Sequence, residues 1–321
     1  MRILFAGTPD VAIPSLDALV ASDHEVVAVL TRPDARSGRG RTTHRSELGA
    51  RADALGIPVL TPRGLRDDAV LDELRALDLD ACAVVAYGGL IPPAALAIPR
   101  HGWINLHFSL LPRWRGAAPV QHAIAAGDPV TGVTTFLIEE GLDTGPTYRL
   151  VESPLGATET SGDVLTRLAV SGAPVLRETM DDLAAGRAIA TPQRGEGVTK
   201  APRISVGDAQ VDFSRAAAEV DRLIRSVTPD PGAWCVVDGG RVKVGPVTVA
   251  ADQVDSDAPL LAAGELRVTK RAVYVGTADH PVLLDNLQPQ GKKMMAAADY
   301  ARGARLASGT LVRRTDDEDR S

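Results

Sequence analysis

The sequence predicts an α/β protein: an open, doubly wound sheet followed by a smaller barrel of short strands. Three observations carry the prediction. The chain opens with an apolar strand (Arg2 to Ala6), a Gly-Thr-Pro turn, a helical stretch and a second apolar strand (Glu25 to Leu30). Apolar strands and helical stretches then keep alternating as far as about Ala184. Beyond a Gly- and Pro-containing stretch the pattern changes to many short strands between turns, the texture of a small antiparallel barrel.

The chain has 321 residues, 45% of them hydrophobic, enough for one large or two ordinary cores. A net charge of −6 excludes a generally basic coat, so any nucleic-acid contact must come from local patches. Cys82 and Cys235 are far apart and lack metal-ligand neighbours, so no disulfide framework and no metal site is expected, as suits a reducing cytoplasm. The apolar start is too short for a signal peptide and no run is long enough to span a bilayer, so a soluble cytoplasmic protein is expected.

After the first turn a helix is expected from about Val11 to Ala21. The segment Arg32 to Arg51 differs in texture. It carries Arg32, Arg36, Arg39, Arg41, Arg45 and Arg51 against only Asp34 and Glu47, with Gly38 and Gly40, and reads as a cationic loop feeding a helix near Ser46. Then come a helix over roughly Arg51 to Leu55, a short strand at Val59, a helix from Asp67 to Leu77 and a strongly apolar strand from Ala81 to Ala86. That strand ends at Tyr87-Gly88-Gly89-Leu90-Ile91-Pro92, where glycines permit a ligand to approach backbone. Further on, a helix is expected over Val120 to Ala126, strands over Gly132 to Ile138 and Thr147 to Val151, and two helices, Ser161 to Leu168 and Val175 to Ala184. Gly186 to Arg203 has no sustained periodicity and reads as a linker. The remainder suggests a helix from Ser214 to Arg225 and strands near Ala233–Val237, Val242–Val244, Gly264–Val268, Ala272–Gly276 and Val282–Leu287.

The chemistry centres on Trp103-Ile104-Asn105-Leu106-His107-Phe108-Ser109-Leu110-Leu111-Pro112-Arg113-Trp114-Arg115-Gly116. Its first half alternates with the period of a strand, so Asn105 and His107 share one face while Ile104 and Leu106 share the other. The run after Leu111 cannot continue a strand, which places the pair near a strand's carboxyl end, the edge where open α/β sheets bind ligands. An amide beside an imidazole suits acyl-type chemistry: Asn105 can donate to an oxygen that gains charge, and His107 can accept or shuttle a proton near neutral pH. No Ser-His-Asp triad is implied.

Asn-x-His-x-Ser-Leu-Leu-Pro-x-x-Arg-Gly resembles the signature of the folate-dependent formyltransferases, and Gly141-Leu142-Asp143-Thr144-Gly145 resembles the turn that carries their catalytic aspartate. The resemblance implies a Rossmann-like formyltransferase fold with Asn105, His107 and Asp143 as catalytic residues. It implies 10-formyltetrahydrofolate as the formyl donor, released as tetrahydrofolate, with no metal. A folate pocket would draw on Tyr87, Gly88, Gly89, Leu90, Ile91, Ser109, Leu110, Leu111, Pro112, Gly141 and Leu142, with Ser109 either shaping the turn or touching folate. Arg113 and Arg115 would face substrate anions or brace the loop. Phe108 departs from the pattern, since a small residue is common between the catalytic histidine and the serine, and a reshaped pocket is the expected effect.

Within that family the chain is most similar to the methionyl-tRNA formyltransferases. Ala6-Gly7-Thr8-Pro9 matches their opening, Gly38-Arg39-Gly40-Arg41 resembles their tRNA-reaching insertion (though Arg41-Thr42 stands where lysines are common), and Asn286 to Met294 resembles their OB-like carboxyl-terminal domain. The implied acceptor is methionyl initiator tRNA, contacted through Arg36, Arg39, Arg41, Arg45, Arg241, Lys243, Lys292 and Lys293. The implied organisation is a catalytic domain over residues 1–190, a linker over 191–206, an OB-like tRNA-binding domain over 207–312 and a charged, disordered tail over 313–321, in a monomer. The alternatives are a formyltransferase or hydrolase acting on a small substrate, and a non-catalytic RNA-binding protein. A nicotinamide-dependent oxidoreductase is disfavoured because the first turn lacks Gly-x-Gly-x-x-Gly.

Overall fold

The computed structural model describes residues 1–37, 42–250 and 261–313. The chain divides into two compact units. One comprises Met1–Pro119, Val130–Pro154 and Leu165–Pro202; the other comprises Val120–Pro129, Leu155–Val164 and the chain from Arg203 onward.

In chain order the first part runs β1 (Arg2–Gly7), α1 (Ile13–Val20), β2 (Glu25–Leu30), the short strands β3 (Ala35–Ser37) and β4 (Thr42–His44), α2 (Glu47–Ala54), β5 (Val59–Leu60), α3 (Asp68–Ala76), β6 (Ala81–Val85), α4 (Pro93–Leu96), β7 (Trp103–His107), β8 (Arg115–Gly116), α5 (Pro119–Ala126), β9 (Val130–Leu137), β10 (Thr147–Pro154), α6 (Ser161–Ala184) and β11 (Lys200–Ala201). Seven strands form one sheet in the order β10-β9-β7-β6-β1-β2-β5. The five from β7 to β5 run parallel, and β9 and β10 close one side antiparallel. β6, Ala-Cys-Ala-Val-Val, is buried throughout, as a parallel strand covered on both faces must be. Two of the helices start where a polar side chain satisfies a free N–H: Ser46 Oγ accepts from Gly49 N at the head of α2, and an Asp67 carboxylate oxygen accepts from Ala69 N at the head of α3.

The strand order reverses at β1, whose neighbours β2 and β6 lead away in opposite directions, and such a switch point opens a crevice at the carboxyl ends. There the first turn and the turn after β6 are tied together, since Thr8 Oγ1 donates to the Tyr87 carbonyl at 3.1 Å. β7 lies beside β6, with Asn105 in register with Val84, so its last residues reach the same edge.

One expectation is corrected: the two helices read over 161–168 and 175–184 are one 24-residue helix, α6, with Pro174 inside it. Local pattern marks Gly172 and Pro174 as breakers, but tertiary packing keeps the helix whole. A β-carbon at Gly172 would sit 3.0 Å from Leu106 Cδ2 and 3.2 Å from Val133 Cγ1, so the glycine lets α6 lie close on the sheet.

The second unit contains α7 (Ala217–Ser226), β12 (Trp234–Val237), β13 (Gly240–Val244), β14 (Val247–Val249), β15 (Leu266–Val268), β16 (Val273–Val275), β17 (Val282–Leu284), β18 (Asn286–Pro289), β19 (Met295–Ala296), α8 (Ala297–Gly303) and β20 (Val312–Arg313). Its strands form sheets ordered β19-β18-β13-β12-β20 and β14-β17-β16-β15, both antiparallel. Valines of both sheets, Trp234, and Val220 and Ile224 of α7 share one core, the interior of a small barrel-like domain. The single strand expected over 282–287 is two. The chain changes sheets at Asp285, because β17 pairs with β14 and β16 whereas β18 pairs with β13 and β19.

Candidate active site

On β7 every second residue faces one side. Trp103 is fully buried and its indole N–H donates to the Ala95 carbonyl of α4 at 2.9 Å, which seals the lower end of that face. Asn105, two residues on, is half-buried, and His107, four on, is 6% exposed at the strand end. The opposite face, with Leu106, is the one that α6 covers. Strand alternation and packing therefore put the amide and the imidazole together at the sheet edge, as the sequence pattern predicts.

The His107 ring is held from two sides. Nε2 lies 2.9 Å from the Trp114 carbonyl oxygen, and a carbonyl only accepts, so Nε2 carries the proton and Nδ1 the lone pair. The ring also meets Phe136 edge-to-face at 6.2 Å between centroids. Burial pushes the imidazole below its ordinary pKa, and the Asp143 charge and the Trp114 carbonyl oppose this without reversing it. The net lowering favours the neutral imidazole, with Nδ1 as the proton acceptor.

Asp143 Oδ2 stands 3.9 Å from His107 Nδ1, beyond direct hydrogen-bond range. The same oxygen accepts from Gly116 N at 2.7 Å, which fixes it on the signature loop. Nδ1 and Oδ2 are two acceptors 3.9 Å apart, so neither donates to the other. Backbone strain collects here as well. Of the six described non-glycine residues with positive φ, three border this site: Ala86 (49°), Trp114 (61°) and Asp143 (49°).

The loop after β7 is built on two hydroxyls. Ser109 Oγ donates to the Arg113 carbonyl at 2.6 Å and the residue is fully buried, so Ser109 shapes the turn. Thr134 Oγ1 on β9, also fully buried, donates to the Ser109 carbonyl at 2.7 Å and accepts from Leu111 N at 3.2 Å. Phe108 is buried at 7% exposure, within the packed interior. Arg115 braces the loop: its Nε and Nη2 donate to Gln193 Oε1 at 3.1 and 2.7 Å. The Arg113 guanidinium stacks on Trp114 at 4.6 Å.

Gln193, Thr199 and Thr134 are the supporting residues that sequence pattern missed. Gln193 Nε2 donates to the carbonyls of Asp143 and Gly145, both at 2.8 Å, and Thr199 Oγ1 accepts from Trp114 N at 2.8 Å. These partners of Gln193 and Thr199 lie 48 to 85 residues away in sequence, so no local signal reveals them. A polar β-branched residue in the middle of an apolar strand was the one available hint, for Thr134.

Of the residues expected to line a folate pocket, Gly88, Gly89, Leu90, Gly141 and Leu142 are exposed, Ile91, Leu110 and Pro112 are half-buried, and Tyr87 and Leu111 are buried with Ser109. Leu90 and Leu142 are 70% and 64% exposed, large apolar side chains left open on loops that carry or adjoin the site. Burial raises the Tyr87 hydroxyl pKa, with the Arg32 charge opposing. Among the described residues no group of three His, Cys, Asp or Glu is placed to hold a metal.

Comparison with known proteins gives this geometry its context. The formyl transferase family profile matches residues 1–180, and the formyl transferase C-terminal domain profile matches residues 203–305. Methionyl-tRNA formyltransferase of Thermobifida fusca is 57% identical over 96% of this chain and 98% of its own length. That of Streptomyces griseus is 56% identical over 97% of this chain and 99% of its own. The chain belongs to the methionyl-tRNA formyltransferase family. Among solved structures, an N-formyltransferase from Helicobacter canadensis in complex with folinic acid and dTDP-3-aminofucose superposes with a TM-score of 0.68 at 16% identity, covering 90% of this chain and 99% of its own, a likeness of fold. HypX from Aquifex aeolicus gives 0.67 at 16% identity over 95% of this chain and 47% of its own.

The cationic residues expected at the tRNA are placed unevenly in this formyltransferase. Arg39 and Arg41 lie outside the described residues, and Arg36 is described only as part of β3. Arg45 grips Asp53 at 2.5 and 2.8 Å and faces Asp34 at 3.7 Å, so its charge is already engaged. On β13, Val242 and Val244 point into the barrel core, which leaves Arg241 and Lys243 on the outer face. Arg241 stacks on Trp234 at 4.1 Å, while Lys243 Nζ donates to the Pro231 carbonyl at 2.9 Å. The β13–β18 register brings the exposed Lys292–Lys293 turn to the Arg241 end of that sheet. The tail from residue 314 lies outside the described residues. No described helix is long and apolar enough to cross a membrane.

Proposed function

We propose that this formyltransferase moves a formyl group from 10-formyltetrahydrofolate to the α-amino group of methionyl initiator tRNA, giving formylmethionyl-tRNA in the cytoplasm. The near full-length identity to methionyl-tRNA formyltransferases is the observation that carries it. A small acceptor is not favoured, because the relatives that match nearly the whole chain at 56–57% identity are methionyl-tRNA formyltransferases.

In the reaction the amine nitrogen bonds to the formyl carbon, the bond from that carbon to folate N10 breaks, and one proton passes from the amine to N10. Asn105 would hydrogen-bond the formyl oxygen as it gains charge, a contribution on the order of a hundredfold in rate. His107 Nδ1, neutral and bearing its lone pair, would take the amine proton. Asp143, 3.9 Å from Nδ1, would stabilise the imidazolium that results. An α-amino group with a pKa of roughly 7.7–8.0 in a free chain, lower when its carboxyl is esterified, needs no stronger base and no covalent intermediate.

The residues fit the folate donor. Exposed Leu90 and Leu142 would give apolar cover for a flat ring, and the positive-φ turn at Ala86 and Gly88 would offer backbone polar groups to a pterin edge. The division of labour would be catalysis by residues 1–190 and tRNA binding by 207–312, with Arg241, Lys292 and Lys293 on the phosphates and the Arg36 to Arg45 insertion at the acceptor end. Formyl transfer would be measured on methionylated initiator tRNA, methionylated elongator tRNA and glycinamide ribonucleotide, with His107→Ala as control. Initiator-selective, His107-dependent transfer is expected. Transfer to the small acceptor alone refutes the assignment.

A further inference from the structure

Both acid-base groups of the site are held from one stretch of chain that reads in sequence as a linker. Gln193 Nε2 donates to the carbonyls of Asp143 and Gly145, which spans the turn that aims the Asp143 carboxylate. Its Oε1 receives Arg115, next to Gly116, whose N–H grips the Asp143 carboxylate itself. Six residues on, Thr199 Oγ1 accepts from Trp114 N, and the carbonyl of that same Trp114 holds His107 Nε2. The Thr199 carbonyl accepts from Arg115 N at 2.9 Å, and β11 then pairs in parallel with β8.

We propose that Gln193, seconded by Thr199, is a positioning residue for formyl transfer. The segment from 193 to 201 sets the Asp143 carboxylate against His107 Nδ1 and fixes the His107 tautomer through Trp114. The inference rests on the formyltransferase assignment above. Both residues act through backbone: Gln193 holds the turn at Asp143, while Thr199 holds Trp114 on both sides, its hydroxyl accepting from Trp114 N and its carbonyl from Arg115 N, whose peptide supplies the imidazole's acceptor. Neither reaches the reacting atoms. A side-chain amide is needed at 193 because the position must donate to two carbonyls and accept from a guanidinium at once, which only Asn or Gln can do.

The test compares wild type with Gln193→Ala, Gln193→Glu, Thr199→Val and Thr199→Ser. Glutamate retains an acceptor for Arg115 and removes the donor to the Asp143 and Gly145 carbonyls, so it isolates the positioning bonds. Steady-state kcat and KM for both substrates, the pH profile of kcat and the melting temperature would be recorded. The expected result is a fall in kcat of about tenfold for Gln193→Ala, Gln193→Glu and Thr199→Val, with KM for methionyl initiator tRNA within about threefold, as lost alignment rather than lost binding demands. The acidic limb of the kcat profile should move, because the field of Asp143 on His107 changes, and Thr199→Ser should recover most of the rate. Active wild type with Gln193→Glu within about twofold of it and an unmoved pH profile overturns the inference. Rates that fall only in step with melting temperature, without rescue by serine, also overturn it. Wild type without turnover on methionyl initiator tRNA defeats the functional assignment instead, and the inference with it.

Discussion

Asp143→Asn is the most informative single change, because it separates charge from shape. Asparagine is among the few residues at ease at the φ of +49° found here, and its Oδ1 can still accept from Gly116 N. The turn should therefore keep its form, and the melting temperature should stay within about 2 °C, since a conserved hydrogen bond and backbone leave well under 1 kcal/mol to lose. What disappears is a negative charge 3.9 Å from His107 Nδ1. At that separation an imidazolium–carboxylate pair is worth about 1 kcal/mol in a water-like medium and about 4 kcal/mol at the effective dielectric of a protein edge. In the proposed mechanism the imidazolium forms only as the amine is deprotonated, so this energy would fall on the transition state. It translates into a loss of about fivefold to a thousandfold in kcat. Asp143→Ala should lose the rate and, with its grip on Gly116 and its tolerance of positive φ gone, several degrees of melting temperature as well. Single-turnover formyl transfer beside thermal melts reads both effects. An Asp143→Asn enzyme within about twofold of wild type would show that the carboxylate charge does not assist His107.

Three further outcomes are expected. Asn105→Ala should lower kcat by about a hundredfold or more with an unchanged melting temperature, and a loss below about fivefold would remove Asn105 from oxyanion stabilisation. Gly116→Ala places a β-carbon 2.5 Å from the Ala201 carbonyl oxygen at a φ of +130°, so β8 must part from β11. A cost of about 2–4 kcal/mol follows from strain and a weakened charge-assisted bond, seen as a denaturant midpoint well below wild type; an unchanged midpoint would refute the close approach. Finally, His107 has a lowered pKa in the folded state, so below about pH 6.5 the unfolded chain binds the proton more readily than the folded one. Its contribution to stability is fully present above that pH and is lost as pH falls through it toward the folded value. His107→Gln should therefore lose less melting temperature than wild type between pH 7 and pH 5, and equal losses would show that the burial of His107 carries no acid sensitivity.

Much of this protein was determined by sequence alone, for physical reasons that act locally. Period-two alternation puts Asn105 and His107 on one face, and the Pro-Arg-Trp-Arg-Gly run ends the strand beside them. Continuous apolar runs announce parallel strands because both of their faces are covered. Where the tertiary structure decided otherwise, non-local packing outweighed local preference. α6 runs through Gly172 and Pro174 because its glycine fits against Leu106 and Val133 of the sheet. The strand read over 282–287 divides because its two halves find partners in different sheets. The protonation state of His107 needed the fold as well, since burial that lowers its pKa and a carbonyl that selects its tautomer come from neighbours the sequence does not name. The role of residues 193–201 was hidden most completely. A glutamine and a threonine in an aperiodic stretch carry no pattern, and their meaning arises only when the chain returns, 48 to 85 residues later, to hydrogen-bond the loops that hold Asp143 and His107.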